Sequence, residues 1–152
     1  GILVPEVMEE STVDEAIKFS YYPPLGMRSW GGEARYGVKT SDGPMPRLDY
    51  AKWFNERVIV SMQVESVEAV INAGKLAKPG VDYLAFGPND LAFSIEAHPE
   101  FPYRTFKECV QHVLDQLEGT GIQVGIATTI SAEDRAMFEE MGVRLFQEAP
   151  LP

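Results

Sequence analysis

The sequence predicts an α/β protein built on a parallel sheet. Short β-branched runs alternate with segments of helical spacing, four times over, and a fifth strand closes the series. The connections that follow the strands are short, as right-handed strand–helix–strand crossovers require. With 45% hydrophobic and 24% charged side chains among 152 residues, the chain carries enough apolar material for one core, so residues 1–152 are expected to form a single domain.

Ile2 to Val7 is the first β-branched run, and Ser11-Thr12-Val13-Asp14 supplies a cap and an acidic third position for a helix reaching about Tyr22. Pro23-Pro24 stops it. Residues 25–49 are rich in Gly and Pro and follow neither hydrophobic period, which predicts a long loop of the kind used as a lid or a subunit contact. A short helix carrying Trp53 and Phe54, from Leu48 to Asn55, closes it. Val58 to Glu65 is the second strand, and Ser66 caps the helix that follows. Val81 to Phe86 is the third strand and runs into a Gly87-Pro88 turn, after which a loop passes through Pro99 and Pro102. Phe106, Cys109, Val110, Val113, Leu114 and Leu117 form one continuous helical stripe. Gln123 to Thr128 is the fourth strand; Ser131 caps a helix that ends at Gly142, and Val143 to Glu148 is the fifth strand.

Periodicity leaves two parallel architectures open, an open doubly wound sheet and part of a (β/α)₈ barrel. No G-x-G-x-x-G and no G-x-x-x-x-G-K-[ST] follows any strand, so phosphate-cradling chemistry is unsupported. The net charge of −10 repels nucleic-acid phosphates and anionic lipid, which disfavours both as partners. The single Cys109 falls on an apolar helix face and reads as an inert thiol of a reducing compartment. With no apolar run near the roughly 20 residues of a membrane helix, a cytoplasmic protein is expected. Gly1 in place of Met, with a strand beginning at once, suggests a processed or partial polypeptide.

Two acids stand out. Asp90 lies at the C-terminal end of the third strand, the end where α/β proteins bind ligands. Ser61, Gln63 and Glu65 alternate onto one face of the second strand, a polar row that a buried parallel strand does not ordinarily carry. Read alone, Asp90 is more readily a turn residue than a ligand, and Glu65 is open to reading as a helix-start acid, against which the polar row on its face weighs.

Five motifs in order bear on the choice: Leu3-Val4-Pro5-Glu6-Val7, Tyr22-Pro23-Pro24-Leu25-Gly26-Met27-Arg28, Gln63-Val64-Glu65, Gly87-Pro88-Asn89-Asp90-Leu91-Ala92-Phe93-Ser94, and His98-Pro99-Glu100. Together they resemble the HpcH/HpaI aldolases, class II enzymes that make or break a carbon–carbon bond next to pyruvate. The resemblance implies a TIM-type (β/α)₈ barrel, of which this chain would supply strands four to eight. It implies that Glu65 and Asp90 bind a divalent metal, Mg²⁺ or Mn²⁺ or another such ion. Gln63, Gly87, Pro88, Asn89 and Asp90 would then contact a pyruvate-like 2-oxo acid, the Asn89 and Asp90 amides holding its carboxylate, and Arg28 is a possible loop contact. The reaction implied is reversible cleavage of a 4-hydroxy-2-oxo acid to pyruvate and an aldehyde.

The family's catalytic His-Asp dyad and its carboxylate-binding Arg belong to strands this chain would lack, so no catalytic base is expected within it. His98 matches a structural loop and His112 sits in the long helix. Ser29 and Glu96 depart from glycines common in the family, and its last helix has no counterpart here. Bare outer strands predict a homo-oligomer, or complementation by the other barrel half. The competing expectations are a non-catalytic assembly module made of the partial barrel, and a CoA-ester lyase of the related citrate-lyase-like branch.

Overall fold

A computed structural model describes residues 1–31, 39–40 and 43–148. Its elements, in order, are β1 (Ile2–Val4), α1 (Glu10–Ser20), β2 (Lys39–Thr40), β3 (Gly43–Pro44), α2 (Arg47–Asn55), β4 (Val60–Val64), α3 (Val67–Leu76), β5 (Tyr83–Phe86), α4 (Pro88–Ala97), α5 (Phe106–Leu117), β6 (Gln123–Ile126), α6 (Ala132–Met141) and β7 (Leu145–Phe146). Five strands pair in the order β1-β4-β5-β6-β7, every pair parallel, while β2 and β3 form a separate antiparallel pair.

That order decides between the two architectures. A doubly wound sheet reverses direction at a switch point; here each crossover moves one strand further the same way. Right-handed crossovers that never reverse place their helices on one face of the sheet, which is the winding of a barrel.

The register shows what each face carries. Met62, Leu84 and Val124 stand side by side, followed by Val64, Phe86 and Ile126, and all six are buried under the helices. Pointing the other way are Leu3, Ser61, Tyr83 and Gln123 in one row and Gln63, Ala85, Gly125 and Leu145 in the next. Small residues dominate the centre of this second face. At Gly125 an added Cβ would come within 3.1 Å of the Leu145 side chain and 3.2 Å of the Tyr83 ring, so the two larger neighbours close over a position that has no side chain.

The helices seat as their sequences dictate. On α5, Cys109, Val110, Val113 and Leu117 are buried, and Phe106 meets Phe86 edge-on at 5.3 Å. Its start is a capping box: Thr105 Oγ1 accepts from the Glu108 amide, and the Glu108 carboxylate accepts from the Thr105 amide. Ser66 and Ser131 cap α3 and α6 as predicted, and Gly142 ends α6 at φ +118°. Beyond α1 a second apolar cluster gathers Tyr22, Tyr50 and Ala51, where the Asn55 side chain both accepts from the Tyr22 amide and donates to the Tyr22 carbonyl.

Several expectations need correction. Helix α1 is capped at Glu9 without a side-chain hydrogen bond and ends at Ser20; Ser11 lies inside it and donates to the Glu9 carboxylate instead. Strands β1 and β7 are shorter than the apolar runs that predicted them. The predicted loop at 25–49 already contains β2, β3 and the start of α2, and residues 32–38 and 41–42 of it lie outside the described residues. The largest difference is α4: the segment read as a turn and loop is a ten-residue helix. Proline is tolerated at the first helical position because its missing N–H has no intrahelical partner there, and that preference overrode the Gly-Pro turn signal.

Replacing Phe86, fully buried between sheet and helices, by Ala should lower unfolding stability by about 3–5 kcal/mol in urea denaturation, whereas Leu48→Ala, at a side chain 83% exposed, should change it by less than about 0.5 kcal/mol. Burial also pushes the Cys109 thiol up to about 11, so the native chain should resist thiol reagents at pH 8 and react only on unfolding; prompt stoichiometric labelling would contradict this placement.

Candidate functional site

At the C-terminal ends of the strands lies a cavity of about 630 Å³ whose wall includes Gln63, Glu65, Ser66, Asp90 and Ser94. Gln63 is in β4, and Glu65 follows it directly. Two residues apart on an extended chain, they point the same way, off the face that carries no helix. Asp90 comes from the neighbouring β5 side, in the first turn of α4. The parallel register that sets Val64 beside Phe86 therefore brings the two acids to adjacent strand ends.

Among the described residues Glu65 is the one charged residue of the buried polar side chains, at 9% exposure. Its Oε1 accepts from the Glu6 amide at 2.6 Å. Glu6 reaches this geometry with φ +53°, a left-handed conformation rarely adopted by a residue with a side chain, and strain of that sort is kept where the surrounding structure imposes it. Among the described residues no ammonium or guanidinium pairs with Glu65. A buried carboxylate without a cation is costly, so the site fits a positively charged guest. Its donors are carboxylate oxygens, hard ligands suited to Mg²⁺, Mn²⁺ or Ca²⁺, and the described residues contain no group of three or more His, Cys, Asp or Glu able to hold a metal without help.

Gly87 makes the arrangement possible. An added Cβ there would collide with Gln63 Nε2 and lie 2.8 Å from Glu65 Oε2 and 3.1 Å from Glu65 Cβ. Both side chains thus lie over a backbone that only glycine leaves bare. The Gly87 amide donates to the Val64 carbonyl at 3.1 Å, and Pro88 has no N–H. The first intrahelical bond of α4 runs from Leu91 to Gly87, which leaves Asn89 and Asp90 as the donors at the positive end of the helix dipole.

Beyond Asp90 the cavity holds residues the sequence did not single out: Phe93, Ser94 and Ala97 follow it at i+3, i+4 and i+7, a spacing visible only once the segment is known to be helical. Pro5, Glu6 and Met8 line it as well. His98, at the rim, is bound at Nδ1 to the Ser94 carbonyl at 2.8 Å, and its Nε2 lies 3.8 Å from the Glu68 carboxylate. Arg28 is not on this wall; its guanidinium lies 4.6 Å from the Phe54 ring centre and 5.4 Å from that of Tyr22, in a separate cavity with Gly1, Ile2 and Tyr50.

A family model for HpcH/HpaI aldolase/citrate lyase matches residues 1–143. The chain belongs to that family. A Citrobacter koseri protein named 5-keto-4-deoxy-D-glucarate aldolase is 29% identical over 145 residues, covering 91% of this chain and 52% of that protein. The crystal structure of an HpcH/HpaI aldolase from Desulfitobacterium hafniense aligns with a TM-score of 0.77 at 26% identity, over 95% of this chain and 54% of the other. A citrate synthase, SbnG, aligns with a TM-score of 0.73 at 28% identity, over 96% and 54%. The chain spans about half the length of the curated relatives it matches.

Gly87→Ala should overpack the turn and lower stability by about 1–3 kcal/mol, read from thermal unfolding. An unchanged melting temperature would mean that Gln63 and Glu65 do not lie over Gly87 as described.

Proposed function

We propose that this chain is the metal- and keto-acid-binding portion, strands four to eight, of a (β/α)₈ aldolase that cleaves 4-hydroxy-2-oxo acids to pyruvate and an aldehyde. The observation that carries the reading is the convergence of Glu65 and Asp90 from adjacent strand ends on one cavity, with Glu65 buried and lacking a cation. Family membership and the barrel-type winding support it.

Glu65 and Asp90 would hold the divalent ion, and an ion so bound supplies Lewis-acid stabilisation for negative charge developing on a substrate oxygen. The protein's own groups do the rest of the positioning. The Glu6 amide fixes one Glu65 oxygen, so the carboxylate is oriented before any guest arrives. The Asn89 and Asp90 amides, at the start of α4, would receive the carboxylate of a 2-oxo acid, as helix N-termini receive anions. Gln63, half-buried beside Glu65, offers an amide to the same ligand.

On this reading the proton acceptor and the carboxylate-binding guanidinium belong to strands one to three of the barrel, outside these 152 residues. His98 does not substitute for the acceptor, since one ring nitrogen is engaged by Ser94 and the other faces Glu68. The cavity of about 270 Å³ on the helix-free face, walled by Leu3, Tyr83, Ala85 and Leu145 among others, is where the inward side chains of such strands would pack.

Titration calorimetry of the chain with Mn²⁺ tests the proposal. Binding should tighten when pyruvate is present, and Glu65→Gln and Asp90→Asn should each weaken it by at least about tenfold. No Mn²⁺ binding, or binding that neither substitution alters, would favour a non-catalytic assembly module.

A further inference from the structure

The two acids of the cavity are held in different ways. Glu65 is buried, and its carboxylate accepts from the Glu6 amide at 2.6 Å. Asp90 is exposed, and among the described residues no group donates a hydrogen bond to its carboxylate. Where Asp90 points is therefore decided by where α4 lies and how that helix is rotated about its axis.

Three contacts set α4. Leu91 and Ile95 are buried on one side of it. Apolar burial of this kind holds a helix on a core but has no direction, so by itself it does not fix the helix's rotation. At the residue before the helix, the Gly87 amide donates to the Val64 carbonyl at 3.1 Å. One turn beyond Asp90, about 6 Å along the axis, the Ser94 hydroxyl accepts from the Val67 amide at 3.1 Å. Among the described residues no other α4 side chain hydrogen-bonds outside its own helix.

The donor belongs to the other acid's segment. Val67 is the first residue of α3 and stands two places after Glu65. Its amide is one of the four that a helix start leaves without an internal partner. Ser66 serves a different one, accepting from the Ala69 amide at 3.1 Å, so Ser94 caps α3 from a separate helix. A serine inside a helix is a weak former because its hydroxyl competes for backbone groups nearby. Here that hydroxyl is turned across to α3, where it links the segment carrying Glu65 to the helix carrying Asp90. With Gly87 as one point of attachment and Ser94 as the second, the rotation of α4 is determined.

Taking the proposed function as its basis, we infer that Ser94 is a positioning residue for the metal-binding pair: its bond to the Val67 amide holds Asp90 where one divalent ion meets both carboxylates. The hydroxyl acts through Asp90 and not as a ligand, in the way that hydrogen-bonded neighbours orient the ligands of a metal site.

Mn²⁺ titration calorimetry on single and paired substitutions tests this. Ser94→Ala should weaken Mn²⁺ binding by about tenfold. Ser94→Thr, which keeps the hydroxyl, should recover the affinity to within about threefold. In a chain already carrying Asp90→Ala, adding Ser94→Ala should change the remaining affinity by less than about twofold, because the acid through which the hydroxyl acts is gone. Ser131→Ala removes the cap of α6, away from the cavity, and controls for lost stability; it should leave Mn²⁺ affinity within about twofold. Four results each overturn this inference and leave the proposed function standing: no weakening by Ser94→Ala, no recovery with Ser94→Thr, equal weakening with and without Asp90→Ala, or the same loss in Ser131→Ala. Failure of the unsubstituted chain to bind Mn²⁺ overturns the proposed function and this inference with it.

Discussion

The position of one buried carboxylate governs much of the rest. Glu65 is drawn out of water by the end of β4 and held by an amide whose residue must turn left-handed to reach it. That bond ties the segment after β1 to the segment after β4, so the loop Pro5–Met8 is fixed over the cavity by the same contact that orients the acid. Gly87 is bare for the same reason, since the Glu65 and Gln63 side chains occupy the volume a Cβ would need. Three separate stretches of chain therefore meet at one side chain. A net stability of a few kcal/mol leaves little room for such costs unless the carboxylate has a use.

The sheet supplies the frame. Because its strands advance one place at a time without reversal, the helices gather on one face and the strand ends converge on the other side of the same rim. The residues that hold β4 and β5 together, Val60, Met62, Val64, Leu84 and Phe86, are fully buried, and they put Glu65 and Asp90 on the stiffest part of the fold. Precision at a binding site is better served by such elements than by loops.

Much of this could be read in the amino-acid order, and the failures have identifiable causes. The period-two row of Ser61, Gln63 and Glu65 showed that β4 has one polar face, and the register shows that face to be the one without helices. The stripe on α5 and the serine caps of α3 and α6 needed only local rules. Helix α4 was hidden because Gly-Pro signals a turn and Pro-at-N1 signals a helix start, and nothing local separates the two. With it were hidden Phe93, Ser94 and Ala97 as cavity residues. The left-handed turn at Glu6 has no sequence signature at all, since glycine and asparagine are the residues that announce one. Ser11 misled because a serine followed by an acid looks like a cap wherever it falls, and here its hydroxyl turns back to Glu9.

The short outer strands give the site an order of opening. In these 152 residues taken by themselves, local unfolding begins where pairing is one-sided, and β1, three residues long and paired among the described residues only with β4, is such a place. Fraying there would withdraw the Glu6 amide from Glu65 while β4 and β5 stayed paired. Backbone amides of β1 would then exchange with solvent hydrogen well before those of β4, and the Glu65 carboxylate would swing free of its tether at a cost far below that of global unfolding. The strand contributing least to the core would in that way set how tightly the most buried acid is held.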